Sequence, residues 1–392
     1  MNTASLAAAT ADYTVPQLWR ILTKTGYFLG LSGAIGATVT YATTVRPALR
    51  EAGSGGDRED RDVLRGRAAA YLAWSGAVLL VAGYFQLAAR AARAGKGMPF
   101  GDALAPSALG DFLRAPAAKG AWIAQGTVYL VQNLVLLATA ATLMALFAPA
   151  ARRHLDRIAL TALPLALAVT FVAAVPAVRP PDVDSWLNLV LDQAHIVSGT
   201  VWLGGLVLLV ALAGTRRRLG AGAGLLWAGL WRRFGLVAMV CVAVVTGSGL
   251  WLSWRHVAAV SQLWTTGYGI ALLVKLLLVA GLVAAGAFNQ LWLMPRIVRA
   301  RGADDTASLV HLTLRHFPKV VWGEVVLGVA VLVVLPFIAG SSRAEAGSPK
   351  AVFSGGVFGA GVALVAALAF SLWATVKASD ALARRTVGGR PA

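Results

Sequence analysis

Blocks of about twenty apolar residues recur along the chain, broken by short polar stretches rich in Arg, Gly and Pro. Nine segments reach the length that crosses the hydrocarbon layer, near residues 26–45, 68–89, 123–148, 158–177, 187–213, 234–254, 269–293, 320–339 and 355–376. Lipid offers no hydrogen-bond partner to an open backbone, so runs of this length predict helices rather than strands. The expected fold is an all-α polytopic membrane bundle of about nine transmembrane helices. Small-residue steps in it, GLSGAIG at 30–36 and GGVFGAG at 355–361, predict close helix packing.

Composition supports this class. The chain is 58% hydrophobic and 13% charged, whereas soluble domains run near 45–50% and 25%. Its 35 Lys+Arg against 17 Asp+Glu give a net charge of +18. The basic residues stand in short runs between apolar blocks, so topology accounts for them and no nucleic-acid partner is expected. The connections 46–67, 149–157, 214–233 and 294–319 with the C-terminal tail carry 22 Lys and Arg, and the alternate set carries 11. The first set is therefore expected in the cytoplasm, with the N-terminus outside and the C-terminus inside.

The start, MNTASLAAATADYTVPQLWR, lacks the basic opening of a cleaved signal. The expected organisation is an N-terminal four-helix part over 1–186 with an external loop at 90–122, a four-helix core over 187–339, and a last helix with a basic tail over 340–392. The loop holds five basic residues and three prolines, Pro99, Pro106 and Pro116, and is long enough to fold over the bundle. EAGSGGDREDRD at 51–62 is a solvated connection by composition.

A charge near the bilayer centre costs about 3 kcal/mol, so every polar group inside a span needs a partner or a function. The fifth segment carries Asp192 and His195, the seventh Lys275 and Asn289, the eighth Glu324, and the third Gln125, Gln132 and Asn133. Asp192 and His195 are three residues apart on one helix face, which Gly199 and Trp202 continue. Counted from Leu187, they lie roughly 7 Å and 12 Å into the outer half.

An imidazole beside a carboxylate can be a metal-ligand pair, with the carboxylate coordinating or orienting the ring. A structural hydrogen bond is the alternative, and an Asp192–Lys275 ion pair is another. Lys275 can equally extend toward the interface. Near a helix N-terminus the dipole alone accounts for Glu324.

His256, at the outer end of the sixth segment, can cap the same outer site, and Met98 is a weaker thioether candidate. His154, His311 and His316 lie among arginines in cytoplasmic connections. Trp251, Trp254, Trp264 and Tyr268 read as an interfacial aromatic belt. One cysteine, Cys241, excludes an internal disulfide, and no GxxxxGK[ST] or HExxH motif is present.

The stretch DQAHIVSGTVWLGGLVLL at 192–209 resembles the Asp-x-x-His and Trp-x-Gly-Gly signature of the copper resistance protein D (CopD) family. The likeness continues through WRRFGLVAMVCVAVVTGSGLWLSW at 231–254 and TTGYGIALLVKLLLVAGLVAAGAFNQLWLMP at 265–295. It reaches the Glu of VVWGEVVLGVAVLVV at 320–334. The resemblance implies a multi-pass protein of the inner (cytoplasmic) membrane that transports copper ions, in the uptake direction, for copper supply or resistance. Copper is then the transported substrate, and no enzyme activity is expected.

By position, Asp192 and His195 match the family's polar pair, and Trp202, Gly204, Gly205, Tyr268, Gly269, Lys275, Asn289 and Glu324 match other positions. The expected metal set is His195, Asp192 and His256, with Trp202, Lys275, Asn289 and Glu324 along the path or in structural roles. Some relatives carry an extracellular copper-binding domain. None is visible here, so a separate extracytoplasmic donor protein is an expected partner beside the lipid bilayer. With five Met and one Cys, the chain is poor in the soft ligands that Cu(I) favours, and the oxidation state stays open. The alternatives are a membrane redox protein holding haem through His195 and a non-transporting assembly subunit.

Overall fold

In the computed structural model, residues 13–51, 58–95, 97–220, 223–289, 296 and 317–387 are described, and no strand occurs among them. Eight helices are long and apolar enough to cross a membrane. They are α1 (Leu18–Glu51), α2 (Arg58–Ala94), α3 (Gln125–Met144), α4 (Leu155–Ala173), α5 (Val183–Ala213), α6 (Ala223–His256), α7 (Gly267–Phe288) and α8 (Phe317–Val334). The ninth expected segment is also helical, as α9 (Gly355–Val387), with Gly355–Ser371 its apolar part among the described residues.

The most apolar window of α1 is 72% buried, against 17% for that of α7, so α1 is the axis of the bundle and α7 lies on its perimeter. Helix α1 packs against α2, α4, α5 and α8. Helices α2 to α4 stand together on one side, α5 pairs with α6, and α7 with α8. Helix α9 packs on α6. One apolar core runs from Tyr27 of α1 through Trp202 of α5 and Trp231 of α6 to Val325 of α8, so both halves of the sequence share it.

The small-residue step at 30–36 does what its composition predicts. It widens into a π-helical turn over Ser32–Gly36, a form that places small residues against neighbouring backbone. A Cβ on Gly36 would lie 2.4 Å from Thr200 O, and one on Gly204 only 1.8 Å from Ser32 O. Here α1 and α5 meet backbone to backbone. A Cβ on Gly205 would strike Phe234 and Thr40, so both glycines of WLGG are packing residues. The second step, 355–361, behaves differently: added Cβ atoms on Gly355, Gly359 and Gly361 meet nothing within 4 Å.

The connection between α2 and α3 folds over one end of these two helices. It includes a short helix, Pro106–Arg114, that buries Leu109 against Leu87, Ala88 and Ala91. Phe100 stacks on Trp19 at 4.8 Å and Phe112 on Tyr129 at 5.6 Å. Trp122 donates to Ala177 O through its backbone N–H and to Pro176 O through Nε1, tying this loop to the α4–α5 connection.

At the opposite end Asp156 of α4 is a hub. Its carboxylate accepts from Tyr41 Oη at 2.5 Å and lies 3.4 Å from Arg46, Arg50 and Arg65. Asp156→Ala is expected to cost about 2–3 kcal/mol, because the buried Tyr41 hydroxyl loses its acceptor and three guanidiniums lose their counter-charge. Thermal denaturation of the purified protein checks this, and a variant as stable as wild type would show that the hub is not structural.

Candidate metal site and buried polar pairs

Helix α5 enters the bundle on a capped turn. The Asp182 carboxylate accepts from Ser185 N–H at 2.8 Å, and that bond holds its pKa below the usual carboxylate value. Arg255 of α6 then pairs with Asp184 of α5, setting the register of the two antiparallel helices. That register brings Ser248 opposite His195, with Oγ 3.0 Å from Nδ1.

The Ser248 hydroxyl has one proton, and Val244 O accepts it at 2.6 Å. With that proton engaged, Ser248 Oγ is placed to accept from a His195 ring protonated at Nδ1, the tautomer in which Nε2 carries the lone pair. An imidazole fixed in this tautomer is prepared to ligate a metal through Nε2. Beside it lies a cavity of about 400 Å³ between α5, α6 and α9, lined by Leu191, Ala194, Val244, Trp251 and Phe358 among others, with Ser248 its polar wall residue.

Asp192 stands one turn from His195 on the same face. No cation lies within 4 Å of it among the described residues, so the alternative reading of a direct Asp192–Lys275 ion pair is not met. Lys275 of α7 and Lys24 of α1 nonetheless both act on it electrostatically. Lys24 is held by donating to Leu335 O at 3.1 Å. Sequence reading missed it because Lys24 precedes the first apolar segment, whereas α1 begins six residues earlier at Leu18.

His256 lies eight residues beyond Ser248 on α6, about 12 Å along the axis. Its ring stacks on Tyr268 at 5.5 Å and its carbonyl accepts from Ser341. No three His, Cys, Asp or Glu gather into a metal-holding group among the described residues, so His195, Asp192 and His256 do not form one cluster. What the structure offers is the two-residue face of α5 with Ser248 behind it.

The expected aromatic belt is largely inside the protein. Trp251 is 3% exposed under Phe353 and Phe358, and Tyr268 is buried, while Trp264 is 59% exposed. Packing of the 340–358 segment on α6 and α7 covers them, which no pattern within a single helix foretells. Glu345 in that segment accepts from Gly267 and Tyr268 N–H groups at 2.8 and 3.1 Å, capping α7 with a carboxylate that sequence reading did not single out. Trp202 is a buried core residue.

Near the far end of α7, Asn289 Nδ2 donates to Glu324 Oε1 of α8 at 2.7 Å. Glu324 lies seven residues into the described part of α8, and this amide is its hydrogen-bond partner. In the third segment, Gln132 accepts from Arg90 at 2.5 Å and donates to Tyr27 Oη at 2.8 Å, while Asn133 donates to Tyr129 O at 2.8 Å. Gln125 is exposed, as is His154, which accepts from Arg153. Met98 is half-exposed in the loop. His311 and His316 lie outside the described residues.

A helical bundle with eight candidate spans and ionisable groups inside them defines a multi-pass membrane protein. Residues 228–338 match the family described as copper resistance protein D. The chain is also 28% identical over 223 residues to the copper transport protein CutJ of Bacillus subtilis (strain 168). That match covers 55% of this chain and 37% of the relative, so the chain spans little more than a third of the relative's length. No solved structure matches. Together these findings make the chain similar, over part of its length, to copper-handling membrane proteins.

Proposed function

We propose that this chain carries copper ions across the cytoplasmic membrane in the uptake direction, as a carrier rather than an enzyme. The observation that carries the reading is His195: an imidazole inside a span, its Nδ1 3.0 Å from Ser248 Oγ, and a carboxylate one turn away. Nitrogen and oxygen donors suit Cu(II) or a borderline ion. The copper-transport name of the relative supports the cargo.

On the charge asymmetry of the connections, the Asp192 end of the bundle faces outward and the Asp156 end faces the cytoplasm. A separate extracytoplasmic protein is then the source of the ion. The ion passes from the Asp192–His195 level toward the level of Asn289 and Glu324. The haem alternative draws no support from the geometry, since His256 stands about two turns from the His195 level instead of opposite it.

The test is copper entry into proteoliposomes containing the purified full chain, followed with an entrapped copper-responsive dye. Entry above that of protein-free vesicles is expected, saturating with external copper. Equal entry in both would overturn the transport reading.

A further inference from the structure

Among the described residues, Glu324 is buried with the amide of Asn289 against its carboxyl and no cation beside it. Its residue is 3% exposed and Asn289 8%. No ion pair reaches Glu324 among the described residues, and Asn289 is the group that acts on it. Among the described residues, the charged side chains that α1, α5 and α7 place inside the bundle stand at other levels. Lys24, Asp192 and Lys275 stand toward the other end, with Lys275 fourteen residues from Asn289, about 21 Å along α7. Arg46 and Arg50 of α1 are engaged with Asp156, and Glu51 with Arg233. A carboxylate left without a counter-charge in such surroundings requires a bound cation.

The amide shows which cation. Asn289 Nδ2 donates to Glu324 Oε1, but Asn289 Oδ1 is buried and has no donor. An orphaned buried acceptor costs about 1–3 kcal/mol. A metal cation or Na⁺ would need several further oxygens, and the described residues supply one carboxyl and one amide. A proton needs only these two groups. On the carboxyl it makes Glu324 a donor, and Asn289 Oδ1 is the acceptor that lacks one.

We propose that Glu324 and Asn289 form a proton-binding site, a carboxylic acid–amide pair, and that proton exchange there is coupled to copper movement. The second half rests on the transport reading, and the first does not. The step is a simple protonation: a solvent proton joins the Glu324 carboxylate oxygen and leaves again, with no change of oxidation state. The site stands apart from His195, since Gly328 of α8 faces Leu203 of α5. Glu324 is therefore roughly three turns deeper along α5 than His195.

Infrared difference spectra between acid and alkaline pH, taken on the detergent-solubilised full chain without copper, test the site directly. The wild type is expected to show a buried carboxylic C=O band that is lost on alkalinisation. Glu324→Gln should abolish that band while folding normally, because its amide donates to Asn289 Oδ1 and accepts from Nδ2 as the protonated acid does. Spectra identical in wild type and Glu324→Gln would overturn the proposal. If Glu324→Gln does not fold, Asn289→Leu serves, with a shift of the band expected and an unshifted band overturning the pair.

In proteoliposomes, an imposed pH gradient should change copper entry through the wild type and leave Glu324→Gln insensitive. Equal pH sensitivity in both would overturn the coupling. An absence of copper entry in the wild type would overturn the transport reading, with the infrared result still deciding the site.

Discussion

Replacing Gly204 by Leu is expected to prevent the bundle from assembling, with almost no protein recovered as a monodisperse species after extraction. The side chain would begin 1.8 Å from the Ser32 carbonyl oxygen and 2.9 Å from Gly36 Cα. Both obstacles are backbone of the buried central helix, so no rotamer change relieves the clash. Overpacking a core typically costs about 1–3 kcal/mol, and this substitution also forces apart α1 and α5, on which α2, α6 and α8 depend. Gly199, five residues earlier on α5, is the internal control: a Cβ there meets nothing within 4 Å. Gly199→Ala should be neutral or stabilising by about 0.5–1 kcal/mol through helix propensity. Size-exclusion profiles of fluorescently tagged variants after a heat challenge measure both, and a well-folded Gly204→Leu would show that the α1–α5 contact is not as drawn.

The second large effect is expected on copper handling. His195→Ala removes the imidazole that faces Ser248 inside the bundle, and should abolish saturable copper entry. Ser248→Ala keeps the imidazole but releases its tautomer, and a loss of about 10–100-fold in copper affinity is expected, as for other groups that orient a ligating histidine. Ser248→Thr retains the hydroxyl and should restore most of it. The readouts are copper bound per purified protein and the half-saturation of uptake, each beside a thermal melt. A purely structural His195–Ser248 bond predicts the reverse pattern, with melting temperature lowered in Ser248→Ala and copper affinity unchanged.

The parts of the site differ in how far the sequence revealed them, for physical reasons. Asp192 and His195 were visible because a charge inside an apolar run is costly wherever the run packs. Ser248 was invisible: a serine inside a helix returns its proton to the preceding turn, as here to Val244 O, and gives no sign that a ring lies across the interface. Lys24 drew no notice because hydropathy starts the first segment near residue 26, while hydrogen bonding carries α1 back to Leu18. Trp251 and Tyr268 were taken for interface anchors because aromatics at helix ends usually are. The packed 340–358 segment buried them.

Sequence alone determined the membrane class, the helical character of the nine segments, and the polar residues standing inside them. The free energies of apolar transfer and of backbone hydrogen bonding in lipid are local properties of a segment. The tertiary structure decided which polar groups meet. His195 finds Ser248 across 53 residues and Asn289 finds Glu324 across 35, while His256 stays apart from His195 and Asp192 keeps no direct ion pair. Those outcomes depend on which helix faces can approach, and the steric fit of Gly36 against Gly204, with the Arg255–Asp184 register, is not encoded in the periodicity of any one helix.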